Sequence, residues 1–123
     1  MITAVHNIVF AEDAAATRAF FRDVLGLPFV DAHDGWLIFR LPPAELGIHP
    51  SDDTGMRHEM WLMCDDIHAT VRDLQAKGVR VTSEVTEQSF GMVTAIEVPG
   101  GGTMGLYQPS HATAHDLAPG TSA

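Results

Sequence analysis

Side chains able to do chemistry are few in this chain, and of a narrow kind. The 123 residues hold seven His but only one Cys and one Tyr. Imidazole changes charge near neutral pH, so His6, His49 or His58 could act as a general base in a metal-free reaction. Trp36, Phe39, Trp61, Phe90 and Tyr107 supply flat apolar area that can stack on a planar ligand. Alternation along strands sends Phe39 and Trp61 toward the helices, which leaves Trp36, Phe90 and Tyr107 as the expected pocket residues. Met56, Met60, Met63, Met92 and Met104 suit either a gap-filling core or an interior that adapts to irregular guests. Cys64 ends an apolar run with no activating base beside it, so it reads as a small buried hydrophobe. The sequence holds no G-x-S-x-G elbow, P-loop or dinucleotide fingerprint, and the glycines of residues 99–102 read as a turn.

Charge narrows the partners. Seven Lys and Arg against sixteen Asp and Glu give a net charge of −9. Neutralising phosphates needs clustered cations, so nucleic acid and anionic membrane surfaces are excluded as partners. No stretch approaches the roughly 20 apolar residues that span a bilayer. The opening residues MITAVHNIVF lack a basic region before the apolar run and read as a strand of the mature protein. A single Cys allows no intrachain disulfide and no thiolate metal cluster, which suits a reducing compartment and a cytoplasmic location. The expected partners are a small molecule, a second copy of the chain, or both.

These residues need elements to position them, and the punctuation is regular. Residues 4–10 are rich in β-branched side chains and read as a strand. Asp13 offers an N-cap, Ala16, Phe20 and Val24 share one helical stripe, and Gly26 then Pro28 stop the helix. Short apolar runs follow at 28–31, 36–41 and 45–49. Residues 51–57 read as a linker. The order then repeats: a strand at 59–64, a cap at Asp65 or Asp66, a helix carrying Ile67, Val71 and Leu74, and a stop at Gly78. Strands are expected at 79–84, 92–98 and 103–108. From Ser110 onward the residues are small and polar without apolar periodicity, and read as a flexible tail that takes His111 and His115 out of the site.

Spacing supports an internal repeat. His6 and His58 each lie 20 residues before a helix-ending glycine, Gly26 and Gly78. Asp13 and Asp65 keep the same offset as the two His, and Gly47-Ile48-His49-Pro50 echoes Gly105-Leu106-Tyr107-Gln108-Pro109. The expected fold is α+β, with two tandem βαβββ units at 1–50 and 58–109 making one domain over 1–109, followed by a tail at 110–123.

With these motifs in place, the chain resembles the vicinal oxygen chelate superfamily, which includes glyoxalase I, extradiol dioxygenases and bleomycin-resistance proteins. The resemblance rests on VHNIVF followed by AFFRDVLGLPF, on HEMWLM followed by VRDLQAKGVRV, and on VPGGGTMGLYQP. It implies a cupped mixed β-sheet with helices on its convex face, and a homodimer that completes the cavity. On that architecture His6, Ile8 and Phe10 of the first unit, and His58, Met60 and Leu62 of the second, face the cup. His49 and Tyr107 face it from the last strands.

The enzymes of this superfamily hold a divalent metal in the cup, and the resemblance puts His6 and His58 at two ligand positions. A third donor could come from Glu45 or His49, or from Tyr107. Gly105 stands where glyoxalase-like and extradiol enzymes carry a Glu. Two imidazoles alone leave the charge of Fe, Mn, Zn or Ni uncompensated, because catalytic sites of this kind use at least three protein ligands. The expected function is therefore a binding module that holds a hydrophobic or aromatic molecule in the manner of bleomycin-resistance proteins, with a cationic one favoured by the net charge. His6, Trp36, His49, His58, Met60, Phe90 and Tyr107 are its expected contacts. The alternative is a metal-dependent dioxygenase, isomerase or lyase in which the metal polarises vicinal oxygens of the substrate. Glyoxalase I itself is disfavoured because its four ligands are not visible.

Overall fold

A computed structural model describes residues 6–48, 50 and 58–118 of the chain. Helix α1 (Ala14–Ala19) starts where Asp13 accepts the Ala16 amide proton on Oδ1 at 3.1 Å. Its end widens into a π-helical turn over Phe20–Val24, marked by the Leu25 amide bonding to the Phe20 carbonyl five residues back. That widening lets the adjacent Phe20 and Phe21 both enter the core, where an α-helical stripe would have taken only Phe20. Gly26 then adopts a φ of 66°, the left-handed stop that its position in the sequence implies. Strands β1 (Phe29–Asp31) and β2 (Leu37–Phe39) form an antiparallel hairpin whose Phe39 ring meets Phe21 and Phe29.

The second half shows the expected βαβββ order. Strand β3 (Trp61–Met63) leads into helix α2 (Ile67–Ala76), capped by Asp66, whose Oδ1 accepts from the Ala69 amide at 3.0 Å. Strands β4 (Thr86–Gln88), β5 (Gly91–Val98) and β6 (Gly102–Pro109) follow, and the four-stranded sheet runs β3-β6-β5-β4. β3 lies parallel to β6, and β5 antiparallel to it. Ile67 and Leu74 of α2 share one core with Ile96, Val98, Met104 and Leu106 of the sheet. The two halves are tied by the Asp13 amide bonding to the Gly100 carbonyl, by Thr17 Oγ1 donating to Pro99, and by Lys77 Nζ donating to Val24.

Three expected strands differ. Residues 6–10 and 45–48 form no strand, and residues 6–10 are all exposed. A strand exists only through a hydrogen-bonded neighbour, and among the described residues neither segment has one, so apolar patterning was not sufficient there. The strand expected at 79–84 shrinks to a bridge between Val81 and Ile96. Thr86 pairs with Val93, so five residues on one side span the same sheet length as three on the other. The excess bulges out at 82–85, closed by buried Thr94 donating to the Ser83 carbonyl at 2.7 Å. The fold as a whole is α+β, with helices on one face of the larger sheet.

Candidate functional site

The free face of that sheet is set by the register of β3 on β6. Trp61 stands opposite Gly105, and Met63 opposite Tyr107. Met104 and Leu106 are buried with α2, so Gly105 and Tyr107 point to the other side. Met60 and Leu62 pack against the core, which inverts the alternation expected for this strand. Trp61 therefore joins the open face and leaves the helix side. No signal in the sequence of β3 alone fixes this choice, because both of its faces are apolar.

An aromatic cluster results. The Trp61 ring centroid lies 5.8 Å from Tyr107 and 6.4 Å from Phe90, and Phe90 lies 5.8 Å from Tyr107. All three contacts are edge-to-face, the arrangement that matches the positive rim of one ring to the negative face of the next. Phe90 reaches the group from the tight turn between β4 and β5, and stays 43% exposed, while Trp61 stays 41% exposed. Trp61 Nε1 donates to Glu59 Oε2 at 3.2 Å, which fixes the turn of the indole.

Beneath the indole lies Gly105. A Cβ built there would sit 2.2–2.5 Å from Cε3, Cδ2 and Cζ3 of Trp61. The glycine is thus the floor on which the ring rests, and no larger residue fits while the ring stays. Gly47, its counterpart in the first half, has no heavy atom within 4 Å of such a Cβ and floors nothing.

Trp61 also forms one wall of a cleft of about 490 Å³. Asn7–Phe10 line one side of it, His58–Trp61 another, and Met104 and Gly105 lie between. Asn7 Nδ2 approaches Met60 Sδ at 3.8 Å across the cleft. Of the expected site residues, His58 and Met60 meet here, while Phe90 and Tyr107 meet Trp61 on the adjoining sheet face. Trp36 lies elsewhere: it is 61% exposed and its ring carries the Arg18 guanidinium at 4.8 Å. His6 is exposed, and His49 lies outside the described residues.

A divalent metal does not fit the donors that are described. Glu45, a candidate third ligand, turns its Oε2 to the backbone amides of Ala114 and His115, the latter at 3.2 Å. The position at Gly105 is covered by indole. Among the described residues no three of His, Cys, Asp and Glu converge. Cys64 is held as a thiol: burial raises its pKa, and Sγ donates to the Tyr107 carbonyl at 3.6 Å.

One side chain that sequence reasoning left out of the site, His111, comes to the aromatic cluster. His111 stacks near Tyr107 with ring centroids 6.1 Å apart, and its Nε2 lies 3.3 Å from the phenol oxygen. Burial first, and then the negative charge of Glu45, push the Tyr107 pKa above the usual tyrosine value.

Helices thus back one face of the sheet, and a cleft and an open aromatic face lie away from them. The chain belongs to the glyoxalase/bleomycin resistance protein/dioxygenase superfamily, whose model matches residues 3–103. Solved structures share the fold. TnmS3, an antibiotic binding protein from Streptomyces sp. CB03234, is 23% identical over 89% of this chain and 100% of its own, with a TM-score of 0.61. A lactoylglutathione lyase from Agrobacterium tumefaciens is 20% identical over 87% of this chain and 94% of its own, with a TM-score of 0.60. Virulence protein STM3117 from Salmonella typhimurium is 16% identical over 89% of this chain and 98% of its own, with a TM-score of 0.57. No curated protein matches the sequence.

Proposed function

We propose that the chain is a binding protein that holds a planar hydrophobic or aromatic small molecule against Trp61, without a metal and without chemistry. The carrying observation is the Trp61 indole lying on Gly105, in edge contact with Phe90 and Tyr107 and walling the cleft. An indole in that place offers a stacking surface where a metal enzyme of this superfamily needs a carboxylate. Likeness to an antibiotic binding protein supports the same reading. The net charge of −9 favours a cationic guest by raising its local concentration. A second copy of the chain completes the cavity on this reading, and Ile8, Phe10, Leu46 and Ile48, each more than 60% exposed, are the apolar residues it covers.

Thermal shift and fluorescence titration against proflavine (cationic), 1-aminoanthracene (neutral) and an anionic anilinonaphthalene sulfonate test this. The first two should bind more tightly than the third. Trp61→Ala should weaken them about tenfold, in line with about 1.4 kcal/mol for loss of one aromatic contact. No stabilisation by any planar compound would defeat the proposal, as would stoichiometric uptake of Fe(II), Mn(II), Zn(II) or Ni(II) that His58→Ala abolishes.

A further inference from the structure

The segment after β6 does not leave the sheet directly. The Ser110 amide donates to the Phe90 carbonyl at 2.9 Å, and the Ser110 hydroxyl to Ser89 at 3.5 Å. His111 Nε2 meets the Tyr107 hydroxyl, and its Nδ1 lies 2.9 Å from the Ala112 carbonyl. Further on, the Ala114 and His115 amides both donate to Glu45 Oε2, and the Leu117 amide closes a turn on the Ala114 carbonyl at 3.1 Å. One carboxylate in the first half thus gathers two successive amides of a segment that also touches two members of the aromatic cluster.

We infer that residues 110–117 are a strap walling one side of the aromatic face, and that Glu45 is the latch that positions it. A backbone bond to a charged acceptor is stronger than one to a neutral acceptor, and two amides on one oxygen fix both the place and the direction of the strap. Glu45 lies 69 residues from Ala114 in sequence, so this contact closes the strap across the two halves of the domain. The inference rests on the aromatic cluster being the ligand site. It adds that a guest enters and leaves past residues 110–117, with Glu45 governing how fast.

Two readouts separate the latch from the wall. Amide hydrogen exchange by NMR reports the latch without any ligand. Glu45→Ala should speed exchange at Ala114 and His115 at least tenfold, leaving unchanged the Glu97 amide of β5, which bonds to the Arg80 carbonyl next to the Val81–Ile96 bridge. Glu45→Gln keeps an acceptor and should preserve much of that protection. It also removes the charge, so the sole tyrosine, Tyr107, should ionise at lower pH in an ultraviolet titration. Stopped-flow release of 1-aminoanthracene reports the wall, and its neutrality keeps the lost charge from confusing the result. Release should be about three to ten times faster from Glu45→Ala and from a chain ending at Pro109, with no further gain when the two are combined. Unchanged exchange at Ala114 and His115 in Glu45→Ala overturns the latch. Unchanged release from the shortened chain, with the Glu97 amide still protected, overturns the wall. If the probe fails to bind the native chain, the ligand-site reading falls and the wall with it, while the latch still stands or falls on exchange.

Discussion

Trp61 and Gly105 are best understood as one unit, a large flat ring and the only residue small enough to lie under it. An Ala at 105 would bring a methyl to 2.2 Å from the indole, a distance that forces the ring or the strand to move. Overpacking of this kind costs about 1–3 kcal/mol. Gly105→Ala should therefore lower stability in urea by that amount and shift the Trp61 emission, and pairing it with Trp61→Ala should recover most of the loss. Recovery matters as much as loss, because it separates a steric clash from a backbone effect. The raised Tyr107 pKa has its own sign. The folded chain holds the phenol proton more tightly than the unfolded one, so this group adds stability below the unfolded value and loses it as pH rises toward the folded value.

Helix α2 is the element that holds the open face open. It covers the opposite side of the sheet with Ile67 and Leu74, and its first turn is fixed twice. Asp66 Oδ1 accepts from Ala69, and Gln108 of β6 accepts from the Ile67 amide at 3.0 Å. The second bond ties the helix start to the strand that carries Tyr107. Asp66→Ala removes the cap and should cost about 1 kcal/mol in chemical denaturation. Because the Gln108 bond remains, affinity for a planar probe should change less than twofold. The π turn after α1 plays the matching part in the first half, feeding Phe20 and Phe21 together into the core where a regular helix would have exposed one of them.

At the scale of the molecule the two halves are unequal. The second holds four strands in one sheet, while the described first half holds one hairpin and leaves Phe10 91% and Ile48 85% exposed. Burying such side chains against a second copy would recover about 1.5–3 kcal/mol each. Light scattering should accordingly give the mass of two chains, and Phe10→Glu combined with Ile48→Glu should give one. A single-chain mass for the native protein would remove the dimer from the proposal. Among the described residues no helix is long and apolar enough to cross a membrane.

Spacing alone determined a good deal here. The cap at Asp13, a second cap at Asp65 or Asp66 that the structure assigns to Asp66, the stops at Gly26 and Gly78 and the buried stripe of α2 were legible, because helix periodicity and glycine turns are local physics, while the superfamily was legible through its motif resemblance. Sequence reading named Trp36, Phe90 and Tyr107 together as pocket rings, and the structure brings Phe90 and Tyr107 into contact while Trp36 lies elsewhere. Tertiary structure decided what local patterning could not. Whether Trp61 faces the helix or the open side depends on which residue of β6 it stands beside, and that register is a contact between positions 44 residues apart. The resemblance made Glu45 one of the candidate third metal donors, yet its carboxylate is committed to amides contributed from the other end of the chain. Trp36 read as a pocket ring, and its place beside Arg18 follows from how the first hairpin packs on α1. Sequence thus supplied the donors and rings, and only the long-range pairing of strands settled which of them share a surface.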